Sequence, residues 1–184
     1  MRIIGGKYKG KKLLFQKNLI TRPLKDSVKE NLFNILIHSN EISTPINKSS
    51  ILDIYSGIGS FGLECLSRGA SNVMFVEKDI TALSFLKKNL LNLSLDNESV
   101  VIENNLKNIF VTTKKFNILF LDPPFKDSNF LKVLLSIKKR NILKKKHLVI
   151  LHRETNSNDD FINIIKIFLT RNYGRSKLIF GTLH

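Results

Sequence analysis

Residues 119–125 read LFLDPPF: an apolar run that ends on an acid, Asp122, followed by Pro123, Pro124 and Phe125. A carboxylate at the end of a buried strand and the carbonyl of the next residue are two adjacent hydrogen-bond acceptors. The prolines fix where the second one points, because each locks its own φ and Pro124 also holds Pro123 extended. A second constellation lies upstream. In DIYSGIGSFG, Gly57, Gly59 and Gly62 form a GxGxxG pattern between a strand and a helix, where glycine permits a tight turn and close approach of the backbone to a ligand. Glu77 ends the next apolar run 20 residues after Gly57, where a carboxylate can accept from both hydroxyls of a ribose. The pair points to a cofactor with an adenosine half, and is compatible with either a nicotinamide dinucleotide or S-adenosylmethionine.

Two features favour S-adenosylmethionine. Asp53 lies inside the first strand, four residues ahead of Gly57. A site for pyrophosphate wants an apolar residue at that depth, because phosphate repels acid; S-adenosylmethionine has no phosphate, and its methionine part carries an ammonium. The other feature is DPPF, which resembles the (Asp/Asn)-Pro-Pro-(Tyr/Phe/Trp) motif of methyltransferases that modify exocyclic amino nitrogens. Pro-Pro as a mere loop start requires neither the acid nor the aromatic. The amino group of a base is a poor nucleophile because its lone pair is delocalised into the ring. Asp122 and the Pro123 carbonyl would grip its two N–H bonds and aim the lone pair at the methyl sulfonium, with backbone rigidity serving as catalytic positioning. Phe125 would stack on the base, which must leave its own stack to enter such a pocket. Asp122 need not be a strong base, since attack on the sulfonium makes the nitrogen cationic and its proton far more acidic.

These residues need a framework that gathers strand ends. SILDIY, NVMFVE, SVVIE, FNILFLD and HLVILH read as strands, and FGLECLSRG, ITALSFLKKNLLNL and NFLKVLLSIKKRN as helices among them. Such β-α-β repetition predicts a mostly parallel sheet covered on both faces. Ligands then bind outside the carboxyl ends of the strands, where strand order reverses. IIKIFLT and KLIFGTL around NYGRS predict an antiparallel hairpin at the sheet's edge. Ahead of the core, RIIGG and KGKKLLF predict two short strands of a hairpin. Ser27 with Glu30 predicts a capping box, opening a helix with Val28, Leu32, Ile35 and Leu36 on its apolar face. The expected fold class is α/β, a single Rossmann-like methyltransferase domain spanning 1–184. It would hold a mostly parallel seven-stranded sheet with an antiparallel C-terminal hairpin, residues 1–39 forming a basic hairpin-and-helix extension and 50–184 the catalytic core.

Net charge is +15, from 30 Lys and Arg against 15 Asp and Glu, which favours a polyanionic partner. Part of that surplus accompanies a composition rich in Lys, Asn and Ile, as AT-rich codon usage produces; distribution is more telling. Arg2, Lys7, Lys9, Lys11, Lys12, Lys17, Arg22, Lys25 and Lys29 meet only Asp26 and Glu30 within the first 30 residues. Lys144, Lys145 and Lys146 read instead as a solvated loop. Cys65, at a spacing that suits a buried helix face, reads as core packing. With one cysteine there is no disulfide framework, so a reducing compartment is expected. No apolar run approaches the roughly 18 residues that span a bilayer, so the expectation is a cytoplasmic protein with no membrane partner.

The segments RIIGGKYKGKKL, RPLKDSVKENLFNIL, LDIYSGIGSFGLECLSRGA, VEKD, DPPF and NYGRSKLIF, taken together, resemble the bacterial 16S ribosomal RNA guanine-N2 methyltransferases of the RsmD type over nearly the whole chain. The resemblance implies S-adenosylmethionine as cofactor and a guanine of 16S ribosomal RNA as target, either free or within an assembled or partly assembled small subunit, with the enzyme a monomer. By position, Arg22 and Pro23 would lie beside the cofactor, Asp53, Gly57 and Gly59 would hold its methionine end, and Glu77 its ribose. Tyr55, Ser56, Lys78, Asn105 and Leu106 complete the cofactor set, the Asn105 amide oxygen accepting from adenine where many such enzymes use Asp. Arg2, Lys7, Lys9, Lys11, Lys12, Arg22 and Lys25 are the expected RNA contacts. Tyr55 replaces the commoner Phe and is expected to pack; His152, near a strand end where an acid is more usual, is assigned no role. Three rivals compete. A nicotinamide oxidoreductase leaves DPPF unexplained, an amino-methyltransferase for another nucleic acid or a protein glutamine lacks the RIIGG segment, and a non-catalytic ribosome-assembly factor has no need of Asp53, Glu77 and Asp122 together.

Overall fold

The computed structural model describes residues 1–16, 24–103 and 114–184. β1 (Ser50–Ile54), β2 (Asn72–Glu77), β3 (Ser99–Glu103), β4 (Phe116–Leu121) and β5 (Leu143–Glu154) are parallel, and β6 (Ile165–Tyr173) and β7 (Ser176–Leu183) form the closing antiparallel hairpin. The order across the sheet is β3-β2-β1-β4-β5-β7-β6, the mostly parallel, Rossmann-like arrangement expected. Strand order reverses between β1 and β4, so their carboxyl ends open the crevice. Among the described residues there are four helices, α1 (Asp26–His38), α2 (Ser60–Ser67), α3 (Ile80–Leu93) and α4 (Phe130–Arg140).

Strand residues divide between two cores. Ile51, Val73, Phe75, Ile118, Phe120 and Ile150 pack toward α1, α2 and α3; Leu52, Ile54, Val76, Leu119, Leu121 and Leu151 pack toward α4. Burial on both faces is why these strands read as nearly unbroken apolar runs, each side chain contributing about 1.5–3 kcal/mol. Asp53 faces the first core, beneath the start of α2. A Cβ at Gly62 would lie 2.3 Å from the Phe75 ring, so the third glycine of the pattern exists to let α2 approach β2. Cys65 is buried, and burial raises its thiol well above the ordinary value, as a packing role requires.

The N-terminal segment forms the expected hairpin in short form: Arg2 and Lys12 bridge antiparallel, Ile3 N–H donates to the Lys11 carbonyl at 2.9 Å, Gly10 N–H to the Ile3 carbonyl at 2.8 Å and Leu13 N–H to the Met1 carbonyl at 3.2 Å. Pairing goes no further because the donors of Ile4, Gly5, Lys7 and Tyr8 are engaged by α2. Glu64 accepts from Ile4 N–H and Gly5 N–H, both at 2.8 Å. Lys7 N–H donates to the Ser67 carbonyl at 2.7 Å and Tyr8 N–H to Ser67 Oγ at 2.9 Å. Gly6 has φ +74°, and a Cβ there would fall 1.8 Å from the Ser67 carbonyl oxygen. Further on, Asn89 of α3 accepts from Leu14 N–H (2.7 Å) and donates to the Leu14 and Ile58 carbonyls.

Two local expectations are corrected. Helix α1 has no capping box: Lys25 is its N-cap, without a side-chain bond, and Ser27 lies inside it. Asp26 occupies the first turn in its place, where an acid complements the helix dipole. Lys144–Lys146 are not a loop but the exposed beginning of β5, which extends past a register shift between Phe116 and Ile118. They lie at the amino end of the sheet, away from the crevice.

Candidate active site

The glycine loop turns immediately after β1. Tyr55, Gly57 and Gly59 all have positive φ, at 60°, 55° and 84°; only the glycines adopt that conformation without strain. Nothing lies within 4 Å of a Cβ built at Gly57, so this backbone faces open space. Glu77, at the end of β2, braces the turn. Its Oε2 accepts from Gly57 N–H at 2.7 Å, and its Oε1 accepts from the Lys78 and Asp79 N–H groups at 2.8 Å each. Three of the roughly four lone-pair sites of the carboxylate are thereby taken, and the remaining one is on Oε2. Asp53 Oδ2 accepts from Gly62 N–H at 3.0 Å, one of the free donors of the α2 N-terminus. Even so, burial first, and then the Asp122 and Glu77 charges, push its carboxyl well above the ordinary range, against the Gly62 bond. Asp53 Oδ1, Ser56 Oγ and Ser60 Oγ are buried without a partner among the described residues.

The catalytic candidates follow β4. Asp122 is partly exposed, Pro123 buried, and Pro124 exposed. Arg153, whose side chain is 3% exposed, clamps the loop: its Nη1 donates to the Pro124 carbonyl at 3.2 Å and its Nη2 to the Phe125 carbonyl at 3.1 Å. It is held in turn by two hydrogen bonds to Asp159, at 2.8 and 3.0 Å, and lies 4.4 Å from the Phe130 ring centroid. Burial alone would raise the Asp159 carboxyl, but the Arg153 hydrogen bonds and charge outweigh it and hold it below the ordinary value. The Pro123 carbonyl accepts from no donor among the described residues. Tyr55 joins the two loops: burial, then the adjacent Asp127 carboxylate, raise its phenol.

His152, expected at the surface or satisfied, is the satisfied case. It is buried and directly beside Asp122, its Nδ1 2.7 Å from Asp122 Oδ1 and its Nε2 2.9 Å from Ser176 Oγ. The pairing of Leu121 with Leu151 makes 122 and 152 neighbours across the strand ends, a placement that strand pairing could have suggested. Arg153 and Glu64 were also missed. An acid in the middle of the apolar FGLECL helix was a signal for Glu64; nothing in sequence separates Arg153 from the other basic residues.

The other expected site residues are dispersed. Arg22, Pro23, Asn105 and Leu106 lie outside the described residues. Lys78 is exposed at the end of β2, touching Glu77 through its backbone. Arg2, Lys7, Lys9, Lys11, Lys12 and Lys25 are exposed, but the Gly6–Gly10 turn sits at the C-terminal end of α2, about 12 Å of helix from the glycine loop. An open cleft of about 530 Å³ between α1 and β6, lined by Asn31, Asn34, His38, Arg171 and Tyr173 among others, contains none of the crevice residues. Among the described residues no helix is long and apolar enough to cross a membrane.

Residues 1–182 match the family described as Conserved hypothetical protein 95. The chain belongs to this family. It is the RsmD type that the motifs resemble. The protein named Ribosomal RNA small subunit methyltransferase D from Buchnera aphidicola subsp. Baizongia pistaciae is 35% identical over 158 residues, 86% of this chain and 78% of that one. Its namesake from Haemophilus influenzae is 40% identical over 129 residues, 68% of this chain and 64% of that one. Among solved structures, the Escherichia coli protein yhhF superposes with a TM-score of 0.82 at 28% identity, over 100% of this chain and 97% of that one. An RNA methyltransferase from Salinibacter ruber, solved with S-adenosyl-L-homocysteine, shares the fold at 12% identity, with a TM-score of 0.65 over 88% of this chain and 94% of that one.

Proposed function

We propose that this protein transfers a methyl group from S-adenosylmethionine to the exocyclic N2 of a guanine in 16S ribosomal RNA. Membership of the RsmD family makes methylation of ribosomal RNA the broad reading; the amino-nitrogen chemistry rests on Asp122 and the Pro123 carbonyl, unengaged among the described residues, side by side at the reversal of strand order. The crevice fits the cofactor. Three buried polar atoms on Asp53, Ser56 and Ser60 lack partners among the described residues, and Gly57 presents bare backbone to open space. Asp53 and the glycine loop would hold the methionine end, and Glu77 the ribose hydroxyls.

When bound, S-adenosylmethionine supplies an electrophilic methyl carbon whose bond to sulfur breaks with the electron pair kept by sulfur. The protein's part is orientation. Asp122 and the Pro123 carbonyl accept the two N–H bonds of the target amino group and turn its lone pair toward that carbon. As the N–C bond forms the nitrogen becomes cationic, and one proton leaves it for Asp122 and then solvent. Phe125 offers a stacking face, and the Arg153 clamp keeps the loop from yielding as the base enters. Incubation with S-adenosylmethionine and either 16S RNA or small subunits lacking the modification, followed by nucleoside mass spectrometry, should reveal N2-methylguanosine. A methylated adenine or cytosine instead, or no methylated base in either substrate, would reject the reading.

A further inference from the structure

We propose that His152 is a positioning residue for methyl transfer: as the Nδ1–H tautomer it holds the Asp122 carboxylate by Oδ1, so that Oδ2 and the Pro123 carbonyl are the two acceptors presented to the target amino group. The proposal rests on the amino-transfer reading above and assigns a role to a residue that the DPPF motif does not contain. Its observation is a row of contacts, Ser176 Oγ to His152 Nε2 at 2.9 Å and His152 Nδ1 to Asp122 Oδ1 at 2.7 Å.

The direction of that row follows from donor chemistry. An ionised carboxylate only accepts, so the proton between Asp122 and His152 belongs to Nδ1. In a neutral ring Nε2 is then the acceptor, and the Ser176 hydroxyl donates to it. The histidine is itself immobilised: its side chain is 9% exposed, it sits on β5 across from β7, and its ring meets the Phe125 ring edge-on at 5.8 Å and 72°. Asp122, by contrast, has a side chain 18% exposed, and the terminal torsion of an aspartate is broad. Without a fixed donor its carboxylate would rotate among orientations of which few place an oxygen beside the Pro123 carbonyl. A short, charge-assisted bond from a locked ring removes that freedom. The same ring supports Phe125, so one side chain sets both the acceptor and the stacking face. No proton needs to pass through the imidazole: the one released by the methylated nitrogen goes to Oδ2, while Nδ1–H stays on Oδ1.

The test compares His152→Ala, His152→Asn and His152→Leu in the full protein with RNA and S-adenosylmethionine. His152→Ala is expected to lower kcat by about 10- to 100-fold, the scale of a misplaced reacting group, with the KM for RNA and the Kd for S-adenosylmethionine unchanged. His152→Asn, whose amide nitrogen can occupy the place of Nδ1, should recover much of the rate, and His152→Leu should not. Independently of activity, 15N NMR of the histidine-labelled free protein should show His152 protonated at Nδ1 and bare at Nε2, with that preference lost in Asp122→Ala. Wild-type turnover in His152→Ala, an asparagine variant as slow as the alanine one, or a proton resident on Nε2 with Nδ1 bare would each overturn the proposal. Should the variants fail to fold, the NMR result on the wild-type protein decides. The two readings fail separately. Full activity in Asp122→Ala removes the amino-transfer mechanism, whereas an inactive Asp122→Ala beside a fully active His152→Ala removes only the role of His152.

Discussion

Asp122 and Glu77 end neighbouring parts of one crevice, yet their partners assign them opposite work. Asp122 stands beside the Pro123 carbonyl and should matter in the transition state, so Asp122→Ala is expected to lose methyl transfer, at about 2.7–4 kcal/mol in the barrier, while cofactor affinity holds. Glu77 braces Gly57 and is proposed to hold the ribose, so Glu77→Ala should weaken cofactor binding first. Calorimetry of S-adenosylmethionine binding beside single-turnover rates separates them, and near-normal turnover in Asp122→Ala or an unchanged Kd in Glu77→Ala would break the assignment. Asp53 makes a prediction about pH. Its carboxyl is raised well above 3.8 in the fold, chiefly by burial, so between that value and its folded one the native state binds more protons than the unfolded chain. Its contribution to stability is therefore present at low pH and lost as pH rises through the folded value. Urea unfolding of the free protein and of Asp53→Asn across pH 4 to 8 should show the wild type losing stability relative to the variant as pH rises. A constant difference would contradict the raised carboxyl.

At the scale of elements, α2 is the hub. Its first turn lies over Asp53, its middle carries Glu64, and its last residues hold the N-terminal segment. Glu64 and Lys29 are both fully buried and 3.6 Å apart, and Lys29 Nζ also donates to the Arg2 carbonyl at 2.6 Å. Burial lowers the Lys29 ammonium, with the Glu64 charge opposing it. Removing one partner of such a pair leaves a charge or an unmet donor inside the protein, so Glu64→Ala should cost about 3–5 kcal/mol. Adding Lys29→Met should recover part of it. Urea denaturation measures both, and a loss under about 1 kcal/mol for Glu64→Ala would mean that the segment is held by its Ser67 hydrogen bonds and apolar contacts without Glu64. Arg68, bonded to Glu64 at 2.8 Å and 4.6 Å from the Phe33 centroid, ties α1 into the same junction.

For the whole molecule, the open question of charge becomes geometric. The basic N-terminal turn is anchored to the far end of α2, so RNA that touches both it and the crevice must run along the α2 flank. If Lys7, Lys9, Lys11 and Lys12 contact phosphates, neutralising them should weaken RNA binding and flatten its salt dependence by roughly 0.7–0.9 per lost contact, leaving cofactor affinity alone. Lys144, Lys145 and Lys146, at the amino end of the sheet, are the matched control and should matter much less. Equal losses from both sets, with equal change in slope, would show a diffuse field rather than a docking surface.

Much of this protein was legible in its sequence because the relevant signals are local. Apolar runs mark buried strands, glycines mark a turn that needs positive φ or close packing, and DPPF carries its acid, its rigid carbonyl and its aromatic within four residues. Those local patterns specified the sheet, the crevice and the crevice residues Asp53, Glu77 and Asp122. They could not specify which groups meet across the sheet. His152 reaches Asp122 only because β4 and β5 are in register there, Arg153 reaches the Pro124 and Phe125 carbonyls only through the same pairing, and Glu64 finds Ile4 and Gly5 some 60 residues away. Each of these contacts satisfies a buried polar group whose partner is chosen by tertiary packing, and that choice leaves no periodicity or spacing in the chain.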